Sequence, residues 1–199
     1  METLIWREEL EKLKAVRGNA RGLVFKTVLE FVIRDQGREG LKRLEETMAD
    51  LGLPIKYEEI KATQVFPLRT YLVLQLAIKE IFQYNDQKFQ AMGAYMCKAS
   101  FIVRLLLKHF SFIFTASEQA PRAWRNYFDV GEMEITELSR GKRVMVVRLK
   151  NFDFHPLHYE IVKGFLGVAM QLVVSSPTSC EQTKSGLEGQ SYNEFVVRW

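Results

Sequence analysis

The sequence is poor in cysteine, proline and histidine, and it carries little surplus of either charge. Two cysteines among 199 residues, Cys97 and Cys180, cannot build a disulfide framework, which favours a reducing compartment. Met1 to Lys14 is charged at helical spacing rather than apolar, so we expect no signal peptide and a cytosolic location. The 28 basic and 24 acidic residues are interspersed, which argues against a nucleic-acid partner.

The sequence also lacks a long apolar run without charge. The most apolar segment, Phe101 to Phe114, contains Arg104, Lys108 and His109, each of which is costly in hydrocarbon. The segment therefore predicts a nearly buried core helix with one polar edge. We expect no membrane span.

Helical periodicity dominates the first half of the chain. The run from Leu68 to Phe82 is apolar almost all the way round, which predicts a helix covered on most sides. No linker rich in proline, glycine or serine divides the sequence. We therefore expect an N-terminal helix or dimerisation extension over residues 1–20 and a single ligand-binding domain over residues 21–199.

The last seventy residues contain a strand, strand, helix, strand, strand pattern. Glu132 to Thr136 and Val144 to Leu149 alternate as the strands of a hairpin, and Pro156 suits the first turn of a helix that runs to about Val174. Asp153 is a candidate cap of this helix. Gly164 and Gly167 indicate close packing, most simply against the sheet. The predicted fold is α/β of the α+β type: a helical N-terminal half packed on an antiparallel sheet of about four strands, with the glycine-bearing helix between the second and third strands.

In three segments the sequence resembles the 4-vinyl reductase domain. The resemblance rests on Phe89-Gln90-Ala91-Met92-Gly93 at the entry to a long helix, on Gly164-Phe165-Leu166-Gly167, and on the ending from Gly189 to Val197. The wider superfamily includes haem-nitric-oxide-binding sensors and TRAPP trafficking subunits. The resemblance implies an α/β fold around a hydrophobic ligand pocket, often in a homodimer.

The departures from this family concern its metal sites. Many of its sensors carry a zinc or redox cluster at positions that hold Tyr159, Lys184, Ser185 and Asn193 here, none of which is a usual zinc ligand. Haem-binding relatives need an axial histidine and a Tyr-x-Ser-x-Arg motif, and no tyrosine here is followed two positions later by serine. His109 is the candidate for a lone axial ligand, but a polar residue at the edge of a core helix is the simpler interpretation. From the sequence we expect neither haem nor zinc and no other cofactor.

Two histidines, His155 and His158, flank Pro156 at a spacing that can orient two imidazoles toward one metal. Capping and packing at the start of the helix is the simpler interpretation. Asp153 nearby could complete an acid or base pair, but the sequence locates no nucleophile. The sequence therefore leans against an enzyme.

The aromatic residues and methionines of the long helices could line a pocket. The ligand-pocket candidates are Met92, Tyr95, Met96, Phe101, Phe112, Trp124, Phe128, His158 and Phe165. The predicted function is non-catalytic binding or sensing of a hydrophobic small molecule, with a further protein partner left open. A TRAPP-like scaffold and an enzyme or accessory factor of tetrapyrrole pigment synthesis remain the alternatives.

Overall fold

The computed structural model describes residues 4–99 and 121–199. The helix predicted over residues 101–114 and His109 lie outside the described residues. The chain divides into two compact units, Met1–Asn85 with Tyr127–Asp129, and Asp86–Asn126 with Val130–Trp199. The predicted extension over residues 1–20 and the single domain over residues 21–199 stay predictions.

The first unit is mainly helical. Helix α1 (Leu4–Lys14) is followed by strand β1 (Asn19–Arg21), helix α2 (Gly22–Asp50), a short 3-10 helix (Tyr57–Glu59), strand β2 (Val65–Pro67) and helix α3 (Leu68–Phe82). Strands β1 and β2 pair antiparallel, with Ala20 opposite Phe66. Gly37 interrupts α2 because its φ of 73° and ψ of −175° are not helical, and glycine adopts such a conformation without a steric penalty.

Helix α3 lies in the core of the first unit. Leu68 and every residue from Thr70 to Ile78 are buried, as a helix that is apolar almost all the way round predicts. The ring of Tyr71 lies 5.6 Å from the rings of both Phe25 and Phe128, so this aromatic cluster joins α3 to α2 and to the segment 127–129.

The second unit contains a four-stranded antiparallel sheet and two long helices. Its elements are α4 (Asp86–Ala99), a helical turn over residues 121–125, β3 (Glu132–Ser139), β4 (Val144–Lys150), α5 (Pro156–Val174), β5 (Ser179–Lys184) and β6 (Asn193–Arg198). The strand order is β3-β4-β6-β5, and all neighbouring strands are antiparallel. The α+β class, the four-stranded sheet and the helix between its second and third strands are confirmed.

Helices α4 and α5 cross at backbone contact. A methyl group on Gly93 of α4 would overlap the carbonyl oxygen of Ile161, and one on Gly164 of α5 would overlap the carbonyl oxygen of Gln90. The expectation that Gly164 packs on the sheet is therefore wrong, because its neighbour is the backbone of α4. Gly167 does face the sheet side, where an added methyl would lie 3.8 Å from the Cβ of Cys180.

The C-terminal half of α5 is less buried than its sequence predicts. Ile161 is buried, but Phe165 and Val168 are half-buried and Leu172 is 45% exposed. Among the described helices, α5 is long enough and apolar enough to cross a membrane, judged by length and composition alone. In this structure it packs against α4 and contacts strands β5 and β6.

Candidate functional site

The described pocket candidates belong to different units. Phe128 packs on Tyr71 in the first unit. Met92, Tyr95, Met96, Trp124, His158 and Phe165 belong to the second. Phe101 and Phe112 lie outside the described residues, so the predicted pocket as a whole stays a prediction.

Three candidates follow α4. Met92 and Met96 are buried, while Tyr95 is half-buried. A methyl group on Gly93 would lie 2.9 Å from the backbone nitrogen of Phe165, so the backbone of Phe165 lies beside that of α4. Of the candidates on α5, Phe165 therefore has its backbone at the helix crossing.

Trp124 and His158 are brought into one aromatic cluster through Phe152. The ring of Phe152 lies 5.0 Å from that of Trp124 and 4.7 Å from the imidazole of His158. Trp124 donates its indole N–H to the carbonyl oxygen of Val130 at 2.8 Å, which satisfies the polar atom of a buried ring. Phe152 is not among the residues that the sequence predicts for the pocket, although the alternation Phe152-Asp153-Phe154 indicates it.

The first turn of α5 holds both described histidines. His155 is the N-cap, and its Nδ1 accepts a hydrogen bond of 3.2 Å from the backbone N–H of Leu157. Asp153 is therefore not the cap. It is exposed and bonds to Asn193 instead. The simpler interpretation of the two histidines, capping and packing, describes their geometry.

Burial determines the charge of His158. Its side chain is almost fully enclosed, and desolvation, with a smaller contribution from the charge of His155, lowers the pKa of His158 to about 3. The imidazole is therefore uncharged at neutral pH.

The side chain of Asn193 lies at the centre of a group of four hydrogen bonds. Its Oδ1 accepts hydrogen bonds from Gln182 Nε2 at 3.2 Å and from the backbone N–H of Gly186 at 2.9 Å. Its Nδ2 donates to Asp153 Oδ1 at 2.6 Å and to the carbonyl oxygen of Leu149 at 3.5 Å. An amide oxygen can accept two hydrogen bonds and an amide nitrogen can donate two, so all four bonds can form together. Through them, Asn193 connects β6 to the segments before α5 and after β5.

Tyr159 belongs to the same region. Its hydroxyl donates to the carbonyl oxygen of Phe152 at 3.2 Å, and burial raises the pKa of Tyr159 above its usual value. Over residues 4–99 and 121–199, no three His, Cys, Asp or Glu side chains are grouped closely enough to hold a metal ion. Burial raises the pKa of Cys97 and that of Cys180 to about 12, which keeps both thiols protonated at neutral pH.

No family model and no curated protein matches this sequence. Solved structures do match it. An H-NOX protein from S. oneidensis in the Fe(II)NO ligation state has a TM-score of 0.67 at 12% identity, covering 89% of this chain and 98% of that chain. The Fe(II) unliganded H-NOX protein from K. algicida has a TM-score of 0.63 at 10% identity, with 89% and 95% covered. The chain has an H-NOX-like fold.

A further similar structure is of a protein in which haem redox potential is modulated through protein-induced porphyrin distortion. Its TM-score is 0.60 at 9% identity, covering 90% of this chain and 99% of that chain. The likeness concerns the fold of the chain. Membership of the 4-vinyl reductase family stays a prediction.

These neighbours overturn the expectation of no cofactor. That expectation used the missing Tyr-x-Ser-x-Arg motif as evidence against haem, whereas the chain shares its fold with H-NOX structures described by their Fe(II) state or by their haem. A short motif is a poor guide where the fold persists at 9–12% identity.

Proposed function

We propose that the protein is a ligand-binding sensor module whose ligand is a tetrapyrrole of the haem class. The observation that carries this proposal is the H-NOX-like fold, which extends over 98% of a haem-sensor chain of the same fold. The apolar helices of the sequence suit a large hydrophobic ligand. The absence of a located nucleophile in the sequence favours binding over catalysis.

The histidines of the sequence are the side chains that we consider as ligands of the haem iron. The sequence contains three histidines. The Nδ1 of His155 is engaged as the cap of α5, and the ring of His158 packs against Phe152. His109, which lies outside the described residues, is therefore the histidine that we assign to the iron.

A single axial imidazole has a defined chemical consequence. Held by this imidazole, haem would supply an iron centre able to bind a small ligand such as a gas. The protein's own contribution would be to hold the imidazole, to exclude water and to surround the macrocycle with apolar side chains. Tyr-x-Ser-x-Arg is missing, so the propionates would be held by other groups or exposed to solvent.

We further propose that the module acts as a homodimer in the cytosol. The resemblance to a family that is often dimeric supports this. Size-exclusion chromatography with light scattering tests it, because a mass of one 23.2 kDa chain at micromolar concentration would contradict it.

Haem reconstitution tests the proposed function. We expect the purified protein to bind haem in one-to-one stoichiometry, with an absorption spectrum typical of histidine ligation. His109→Gly should lose this spectrum, and added imidazole should restore it, because free imidazole can occupy the space left by the side chain. Failure of the wild-type protein to bind haem would exclude the proposal, and an unchanged spectrum in His109→Gly would exclude the assigned ligand.

A further inference from the structure

At one end of the second unit, the turn between β3 and β4 carries exposed basic side chains. The ladder at this end pairs one residue from each strand in a row: Ser139, Val144, Arg198 and Ser179. Residues 140–143 lie beyond this row, and we call them the hairpin tip. Three of the four residues of the tip are basic and exposed, namely Arg140, Lys142 and Arg143.

The hairpin tip is an ordered turn. The backbone N–H of Arg143 donates to the carbonyl oxygen of Arg140 at 3.2 Å, and that of Lys142 donates to Ser139 Oγ at 3.2 Å. The carbonyl oxygen of Arg143 accepts a hydrogen bond of 3.3 Å from the backbone N–H of Trp199. The basic side chains of the tip are therefore presented from a fixed backbone.

Basic side chains outnumber acidic ones at this end of the sheet. Two exposed salt bridges involve them: Lys142 with Glu137 at 3.0 Å, and Arg198 with Glu181 at 3.4 Å. Arg140 and Arg143 add two further positive charges. Four basic side chains therefore accompany two acidic ones, which leaves a surplus of two positive charges.

The last two turns of α5 reach past the same end of the sheet. Thr178 Oγ1 donates to the carbonyl oxygen of Gly167 at 2.8 Å, so the chain that begins β5 lies level with Gly167. The helix continues from there to Val174, and at a rise of about 1.5 Å per residue this stretch is about 10 Å long. Residues 168–174 therefore project beyond the sheet, and we call them the projecting turns.

The projecting turns expose apolar side chains and carry no charge. Leu172 is 45% exposed, while Val173 and Val174 are half-buried. The sequence from residue 164 to residue 180 contains no charged side chain. Strand β6 alone separates β4 from β5, a distance of about 10 Å for two strand spacings, so the hairpin tip and the projecting turns lie on one small surface.

We propose that this surface, made of the hairpin tip and the projecting turns, binds an anionic phospholipid membrane. Such a membrane presents negative headgroups with acyl chains just below them, and peripheral sites match it with basic side chains beside exposed apolar ones. A nucleic acid would match the tip but leave the apolar turns without a partner. An apolar protein partner would leave the surplus positive charge unmatched. The proposal does not depend on the tetrapyrrole.

Vesicle sedimentation with the full chain tests the proposal. We expect the wild-type protein to bind vesicles that contain phosphatidylserine at least about tenfold more tightly than vesicles of phosphatidylcholine alone. Raising the salt concentration from about 0.05 M to about 0.5 M should weaken this binding, because salt screens exposed charges. Absence of binding, or equal binding to the two kinds of vesicle, would overturn the proposal.

Two pairs of arginines test the role of the hairpin tip. Arg140→Gln combined with Arg143→Asn should weaken binding to phosphatidylserine by about 25-fold, since each basic residue at an anionic surface contributes about fivefold. Asparagine suits position 143, where φ is 51°. As the control, Arg122→Gln combined with Arg125→Gln removes two exposed arginines on either side of Trp124, whose ring contacts the segment after β4 at the other end of the sheet. This control should stay within about twofold of the wild-type affinity.

Two leucines of equal exposure test the projecting turns. Leu172→Ser should weaken vesicle binding by about fivefold, because it removes an apolar side chain that enters the lipid. Leu187 is 44% exposed and lies after β5, at the other end of the sheet, so Leu187→Ser should leave vesicle binding unchanged. Circular dichroism verifies folding. If the double arginine variant does not fold, Arg140→Gln alone should still weaken binding by about fivefold.

The variants also identify other occupants of this surface. Equal vesicle binding by the tip variant and its arginine control would overturn the proposal. So would wild-type protein that ignores vesicles but binds a single-stranded oligonucleotide through the tip. A wild-type dimer that ignores vesicles and dissociates on Leu172→Ser would show that the surface binds a second copy of the chain instead of lipid.

Discussion

Asn193 makes four hydrogen bonds from a position with no exposed surface. Asn193→Asp keeps the shape of the side chain but replaces the donor to Asp153 by a second carboxylate. We expect the variant to lose at least about 2 kcal/mol of unfolding free energy at pH 7.5, measured by urea denaturation. Burial and the neighbouring carboxylate raise the pKa of the new carboxyl in the folded state, so its cost should shrink as the pH is lowered.

A matched substitution controls for the added charge. Asn126 is exposed, so Asn126→Asp should change the unfolding free energy by less than about 0.5 kcal/mol, both at pH 7.5 and at the lower pH. Equal stability of the two variants at pH 7.5 would show that the bonds of Asn193 contribute little to folding.

His158 links stability to pH through its burial. Its folded-state pKa of about 3 lies below the value of about 6.5 in an unfolded chain, so the unfolded state binds more protons between these values. The contribution of the neutral imidazole is fully present above pH 6.5 and is lost as the pH falls, by up to about 1.4 kcal/mol per pH unit. His158→Phe keeps a ring but cannot titrate, and urea midpoints between pH 7 and pH 4 should therefore fall less steeply than in the wild-type protein. Parallel pH profiles would contradict this account of His158.

At the scale of elements, helix α5 contains two glycines whose replacement should have opposite effects, Gly164 at the crossing with α4 and Gly167 on the sheet side. Gly164→Ala places a methyl against the carbonyl oxygen of Gln90, and this overpacking should destabilise the protein by about 1–3 kcal/mol. Gly167→Ala meets its nearest atoms at 3.8 Å, so the higher helix propensity of alanine should leave stability unchanged or raise it by up to about 1 kcal/mol. Thermal unfolding of the two variants measures the difference, and similar melting temperatures would mean that the crossing relaxes without cost.

The elements that the sequence predicts well are those with a strong local pattern. Leu68 to Phe82 is apolar almost all the way round, which predicts a buried helix, and Pro156 begins α5 because its missing N–H is not needed there. The pairing of β1 with β2 has no local signal, since each strand has three residues and they are far apart in sequence. The partner of Gly164 is missed for the same reason: a glycine indicates a close approach but not the element that approaches.

In the candidate site too, the sequence predicts single residues better than the contacts between them. The sequence identifies Trp124 and His158 as residues of interest, but their common neighbour, Phe152, depends on where the segment after β4 returns to α5. Residue preference makes Asp153 a candidate cap of α5, whereas the ring nitrogen of His155 fills that role and Asp153 bonds to Asn193, 40 residues later in the sequence. Such long-range choices depend on tertiary contacts, which a single sequence does not display.

At the scale of the whole molecule, the central question is whether the chain as a unit is stabilised by a tetrapyrrole. A ligand that binds only the folded protein adds about 2.7 kcal/mol of stability at a hundred times its dissociation constant. For a chain of this size each kcal/mol corresponds to about 2–4 °C, so haem should raise the melting temperature by about 5–11 °C.

Metal-free protoporphyrin separates axial ligation from burial of the macrocycle. If His109 binds the iron, metal-free protoporphyrin should give a clearly smaller shift than haem in the wild-type protein, because it has the same apolar surface but no metal to coordinate. The His109→Gly variant should respond equally to both compounds, because it has lost the side chain that distinguishes them. Equal shifts with haem and protoporphyrin in the wild-type protein would mean that the site recognises the hydrophobic ring system alone, and His109 would then have no part in ligand binding.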